Sequence, residues 1–208
     1  MPKKKFYLPD HHPKGGDPAD INNYRPISKY CAFAKMMDCL VYNKISIYVN
    51  KYIINIQHGF LPGRSTCTDL VVYIDDIMSS LNKGLSVYAV YTDLTRAFDT
   101  VNICFLLRKL EGIGINGMQL KWFASYLTDR KHTVKVKEIL SELIFVLSGV
   151  GQGSHLVPIL FLIFINDVHF VNKFSKFLLF ADDKKIYKAI KSLSNVDELQ
   201  SDINAFND

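Results

Sequence analysis

The sequence predicts an α+β fold, an antiparallel sheet backed by helices, with a separate N-terminal lobe. Three observations carry that expectation. Apolar residues recur at helical spacing over several stretches, short runs rich in β-branched and aromatic residues read as strands, and two of those strands deliver acids to loop-facing ends. The lobe boundary falls near residue 84, dividing 1–84 from 85–208.

Each element follows in order. Phe33, Met36, Met37, Leu40, Val41, Ile45 and Tyr48, after Ser28 as N-cap, describe an amphipathic helix with Lys35, Asp38 and Lys44 on its other faces. A second helix runs through Leu70, Val71, Ile74, Ile77, Met78 and Leu81 to a glycine stop at Lys83-Gly84. The segment 85–93 reads as a buried strand ending on Asp93, and helical patterns resume at 103–110 and 118–126, with Trp122 and Phe123 assigned to the core. The alternating stretch 132–137 pairs with the apolar run 143–147 as a hairpin leading into a glycine-rich loop. Residues 157–165 form a core helix closed by Asn166-Asp167, 177–187 a second hairpin, and 197–206 a last helix.

Composition sets bounds on function. The 208 residues are 49% hydrophobic, enough for an ordinary core. A net charge of +5, from 25 basic against 20 acidic residues, permits a polyanionic partner without demanding one. No apolar run approaches the roughly 20 residues of a membrane span, and the N-terminus lacks the apolar stretch of a secretory signal. The expected location is the nucleus or cytoplasm. Cys31, Cys39, Cys67 and Cys104 show no metal or disulfide spacing and read as reduced core thiols, and no histidine pair has ligand spacing.

The chemistry concentrates in acids. Asp182 and Asp183 sit side by side at the tip of the 177–187 hairpin. Two carboxylates about 4 Å apart repel by roughly 4 kcal/mol at an effective dielectric near 20, so such a pair on a rigid turn calls for a cation. Alone, Asp-Asp is also ordinary turn chemistry. Asp93 shifts the balance, because a strand end beside that hairpin would bring three carboxylates to one edge, enough oxygen for two Mg²⁺ ions about 3.5–4 Å apart. Between these acids, Gly149-Val-Gly-Gln-Gly-Ser154 opens the apolar helix, and its glycines suit close approach to a ligand or an ordinary strand-to-helix turn.

Seven ordered motifs now accumulate: Asn23-Tyr-Arg-Pro-Ile-Ser28, Gln57-His-Gly-Phe-Leu-Pro-Gly-Arg-Ser-Thr66, Asp93-Leu-Thr-Arg-Ala-Phe-Asp99, Trp122-Phe-Ala-Ser-Tyr-Leu-Thr-Asp-Arg130, Gly149-Val-Gly-Gln-Gly-Ser154, Asn166-Asp167 and Phe180-Ala-Asp-Asp183. In this order and spacing the chain resembles the reverse transcriptase domain of non-LTR retrotransposons of the jockey-like or LINE-like kind. The resemblance implies a polymerase palm-like sheet over 85–208 and a fingers-like lobe over 1–84. It implies RNA-directed DNA polymerisation on an RNA template and DNA primer with deoxynucleoside triphosphates and two Mg²⁺ ions, or Mn²⁺ in their place. Asp93, Asp182 and Asp183 match the metal-binding acids, and Phe98 the aromatic that excludes a 2′-hydroxyl. Gln152 and Gly153 match the loop against the incoming nucleotide, and Lys14 and Arg25 the basic groups that hold its triphosphate. Arg64 is assigned either to phosphate or to a structural role at a helix start, while Asp99 and Asp167 take structural roles.

The chain also departs from that pattern. Gly151 stands where related chains have proline before Gln-Gly, and Val157 where they have glycine before the proline. It ends at Asn207-Asp208, where similar proteins continue toward the thumb, so the expectation is a truncated domain. The alternative function is a catalytically inactive retroelement remnant that at most binds nucleic acid or a protein.

Overall fold

A computed structural model describes the backbone of residues 4–7, 27–94, 96–136, 139–151 and 153–206, with side chains from residue 30 onward except 135 and 136. The chain forms two compact units, each built from two separate stretches: Met1–Tyr48 with Phe98–Phe161, and Val49–Ala97 with Leu162–Asp208.

The first unit holds a five-stranded sheet. Strands β1 (Lys4–Tyr7) and β2 (Ile27–Lys29) pair antiparallel, and β1 runs parallel to β4 (Arg130–Val136). The expected hairpin is present, with β4 antiparallel to β6 (Ile144–Val146), which places Arg130 opposite Val146, and also to the short β5 (Ile139–Leu140). Ser28 lies within β2, so it does not cap α1, which runs Ala32–Val49. The apolar stripe of α1 faces outward: Phe33, Met36, Leu40 and Tyr48 are exposed, whereas Asp38 is 2% exposed. The inversion has a cause. Asp38 accepts hydrogen bonds from Tyr126 Oη (3.1 Å) and Ser154 Oγ (2.5 Å), so the polar face of α1 turns inward. Helix α3 (Ile103–Gly112) starts at Asn102, whose side chain accepts from the Phe105 amide at 3.1 Å, and buries Ile103, Leu106 and Leu110 at helical spacing. Helix α4 (Gly117–Leu127) buries Phe123, Tyr126 and Leu127, and Trp122, half-buried, stacks on Tyr126.

In the second unit, α2 (Thr66–Leu81) begins with a capping box in which the Ser65 hydroxyl accepts from the Thr68 amide and the Thr68 hydroxyl from the Ser65 amide. Its buried residues are Asp69 and Tyr73, while the expected core stripe of Leu70, Val71, Ile74, Met78 and Leu81 is exposed. A three-stranded antiparallel sheet follows, in the order β3 (Ser86–Asp93), β8 (Asp183–Ile190), β7 (Lys176–Phe180). β3 is an edge strand with Tyr88 and Tyr91 exposed rather than a buried one, because among the described residues only β8 pairs with it. β7 is covered on both faces. Phe177 and Leu179 join Ile186 and Leu199 of α6 (Leu193–Ala205) on one side, and Leu178 joins Tyr73 and Tyr187 on the other. That explains the unbroken apolar run there. At the foot of the hairpin the buried Asp202 carboxylate accepts the amides of Lys173 (3.0 Å), Phe174 (3.0 Å) and Ser175 (2.7 Å).

The helix α5 (Val157–Ile165) is buried almost all round and is followed by a 3-10 turn, Asn166–Phe170. Asn166 closes it by clasping 52–54: its amide donates to Tyr52 O (2.8 Å) and its carbonyl accepts from Ile54 N (2.9 Å). The cysteines are free, but Cys31, Cys67 and Cys104 are exposed and Cys39 half-buried, so they are not core thiols. Among the described residues, no helix is long and apolar enough to cross a membrane.

Candidate active site

Strand pairing brings the predicted acids of the second unit together. In the β3–β8 ladder Asp93 lies directly opposite Asp183, and Asp182 occupies the two-residue loop between β7 and β8. Directly opposed antiparallel residues hold their Cβ atoms about 4.5–5.5 Å apart, where like charges repel. Asp183 registers this. Partial withdrawal from water, then the charges of Asp182 and Asp93, hold its carboxyl above the usual carboxylate range despite its exposed setting.

The acidic turn is gripped from one side by the segment 56–59. Ala181, the residue before the acids, takes φ +56°, a conformation that costs a non-glycine residue about 1–2 kcal/mol. Gln57, 1% exposed, accepts the Ala181 amide on Oε1 at 2.9 Å and donates Nε2 to the Ala181 carbonyl at 3.4 Å. The same Oε1 accepts Gly59 N at 2.7 Å. Backbone bonds flank this contact, from His58 N to Leu179 O (2.7 Å) and from Leu179 N to Ile56 O (2.9 Å). Gly59 has no room for a side chain: a Cβ there would lie 2.3 Å from Ala181 N.

The rest of that motif braces the same segment. Arg64 directs its guanidinium to the carbonyls of Asn55 and Gln57, the latter at 2.8 Å. His58 is buried, its Nδ1 2.9 Å from Thr68 Oγ1, and burial followed by the nearby Arg64 charge lowers its pKa, keeping the ring neutral near pH 7. Lys185, beside the acids, is engaged by buried Asp69.

A divalent cation suits this donor set in chemistry, since every candidate ligand is a hard carboxylate oxygen and the mutual repulsion is what a cation relieves. The convergence expected from sequence is not preassembled, however. Among the described residues no three acid, histidine or cysteine side chains form a group that could hold a metal. Repulsion between like charges disfavours gathering them unaided.

In the first unit the glycine loop is fixed by backbone contacts. Gly149, at φ +75°, donates its amide to Val101 O (2.8 Å), and a Cβ on it would lie 2.6 Å from Asp99 O. Val150 N donates to Phe98 O at 2.7 Å, and Tyr30 Oη donates to Gly151 O at 3.0 Å. Arg130, 5% exposed, donates to the carbonyls of Leu127 (2.8 Å), Ser148 (2.9 Å) and Gly149 (2.5 Å). Phe98 is half-buried with its ring 4.3 Å from that of Phe161, and Gly153 is exposed at φ +100°. Lys14, Arg25 and Gln152 lie outside the described residues. Gln57, Gly59 and Arg130 had drawn no role from sequence. A glutamine and a glycine two residues apart carry no chemical signature until their partner is known.

The chain matches a family described as reverse transcriptase (RNA-dependent DNA polymerase) over residues 2–206. It is 30% identical over 156 residues to the RNA-directed DNA polymerase from mobile element jockey of Drosophila funebris, covering 74% of this chain and 17% of that protein. To the probable RNA-directed DNA polymerase from transposon BS of Drosophila melanogaster it is 29% identical over 162 residues, 76% of this chain and 17% of that one. The chain thus spans about a sixth of these relatives. A structure of apo telomerase from Candida tropicalis superposes with a TM-score of 0.62 at 14% identity, over 87% of this chain and 39% of that one, a likeness of fold.

Proposed function

The chain belongs to the reverse transcriptase (RNA-dependent DNA polymerase) family, and we propose that it is the RNA-directed DNA polymerase module of a jockey-like mobile element, working by two-metal nucleotidyl transfer. The observation that carries this reading is the opposition of Asp93 and Asp183 next to Asp182 at one end of an antiparallel sheet. Bound Mg²⁺ or Mn²⁺ would make a primer 3′-hydroxyl more acidic and neutralise a leaving pyrophosphate. The protein's own part is to hold Asp93, Asp182 and Asp183 in place. The ladder fixes two of them and the gripped turn the third. Phe98 would crowd the sugar 2′ position, Gln152 and Gly153 line the nucleotide, and Lys14 and Arg25 hold its triphosphate. RNA template, DNA primer and deoxynucleoside triphosphates are the substrates. Arg64, occupied by backbone carbonyls, is read as a brace.

The test is extension of a DNA primer on an RNA template with Mg²⁺ or Mn²⁺. Asp93→Asn and Asp182→Asn keep side-chain shape but remove ligand charge, and each should lower the rate about 10²-fold or more. Near-parental extension by either variant would overturn the assignment. No extension by the parent under any metal would favour the inactive remnant.

A further inference from the structure

We infer that Gln57 is a positioning residue for the acidic turn, its carboxamide setting where Asp182 and Asp183 are carried relative to Asp93; the inference rests on the assignment of those acids made above. The geometry is specific to the turn. A two-residue hairpin loop with positive φ at its first position ordinarily takes glycine there, yet this chain has Ala181, itself 4% exposed. One side chain holds both polar groups of that residue, accepting its amide and donating to its carbonyl, so the peptides on either side of Ala181 are oriented together. Gln57 is anchored in turn. Its Oε1 accepts Gly59 N, its backbone carbonyl accepts Arg64, and the flanking bonds between Ile56, His58 and Leu179 lay it along β7 like a short parallel strand.

The clamp is also neutral. A lysine or arginine at this place would hydrogen-bond the Ala181 carbonyl but not its amide, and would add a competing positive charge beside the carboxylates. An aspartate or glutamate would accept the amide but leave the carbonyl unpaired. Only an amide side chain of this length serves both without altering the local charge.

The experiment uses the full chain, ¹⁵N-labelled, with Gln57→Met and Gln57→Glu. Methionine keeps the volume and removes the hydrogen bonds, and glutamate keeps the Oε1 acceptor. Amide exchange at Ala181 should rise about tenfold or more in the methionine variant. Ile186 and Tyr187, in the same hairpin, should keep their protection, and glutamate should restore most of the protection at Ala181. Unchanged exchange at Ala181 in the methionine variant would overturn the inference, and so would an equal rise throughout the hairpin, which marks a general loss of stability. Mn²⁺ titration followed by electron paramagnetic resonance adds the link to the acids. Parental binding should weaken with Asp93→Asn or Asp182→Asn, and about tenfold with Gln57→Met. Acid-dependent binding that Gln57→Met leaves intact would overturn the positioning role alone. If neither acid variant changes Mn²⁺ binding, the assignment of the acids fails, and the inference as stated falls with it.

Discussion

The glycine loop of the first unit and the acidic turn of the second solve one problem with different chemistry. In each, two backbones meet so closely that a Cβ is not admitted: on Gly149 it would lie 2.6 Å from Asp99 O, on Gly59 2.3 Å from Ala181 N. In each, a buried side chain grips the backbone. The loop is held by a cation, Arg130, whose guanidinium meets three carbonyls, and the turn by a neutral amide that meets one N–H donor and one carbonyl of the same residue. A guanidinium can only donate, so it suits a set of acceptors. A carboxamide suits a mixed set, and it leaves the negative field of Asp93, Asp182 and Asp183 undiluted. The difference teaches that a clamp's charge follows from what it must leave available beside it.

Glycine replacement tests the shared feature with the largest expected effect. Gly149→Ala meets both a clash and a positive φ, whereas Gly59→Ala meets the clash alone, so the first should cost about 3 kcal/mol or more and the second somewhat less. Urea unfolding midpoints give the order, and a reversed order would mean that the contact at Ala181 is the tighter constraint.

Arg130→Met tests the cationic clamp. Three carbonyls lose charge-assisted donors, at a cost of about 2–3 kcal/mol. The same measurement checks it, and a change below about 0.5 kcal/mol would show that water replaces the guanidinium easily.

The smallest effect separates the two ends of the acidic hairpin. Burial raises the Asp202 carboxyl and its hydrogen bonds from Lys173, Phe174 and Ser175 lower it, the net shift being downward from the ordinary value. The folded protein therefore binds this proton less readily than the unfolded chain. Its stabilising contribution is complete above the unfolded value near 3.9 and fades as pH falls through the lower folded value. Asp202→Asn should remove about 1–2 kcal/mol at pH 7 and flatten the loss of stability below pH 4, whereas the Gln57 contact carries no such pH dependence. An unchanged acid limb in unfolding curves would contradict the role of Asp202.

Much of this was legible because chemistry and periodicity announce themselves locally. The hairpin at 177–187, the strand ending at Asp93 and the core helix after the glycine loop were all readable from neighbouring residues. What escaped depends on distant partners. The apolar stripes of α1 and α2 gave the right helices and the wrong buried face, because Asp38 finds its partners at Tyr126 and Ser154, and Asp69 finds Lys185. The β-branched and aromatic residues of the strand into Asp93 suit a covered strand, yet its place at the sheet edge leaves Tyr88 and Tyr91 exposed. The glutamine and glycine of the Gln57–Thr66 motif show no role in the sequence, since Ala181 gives no hint of needing them.

The grip on the acidic turn also sets a schedule for the nascent chain. Gln57 and Ala181 are 124 residues apart, so at about 5–20 residues per second the amide emerges roughly 6–25 s before its partner. Through that interval the carbonyl of Ile56 and the amide of His58 wait for Leu179, the residue they pair with in the fold. A long wait of this kind raises the contact order of the unit and slows its closure. The acids therefore come into register only in a late step of folding, and a ribosome that pauses before the hairpin holds a chain in which Asp93 has not yet met Asp183.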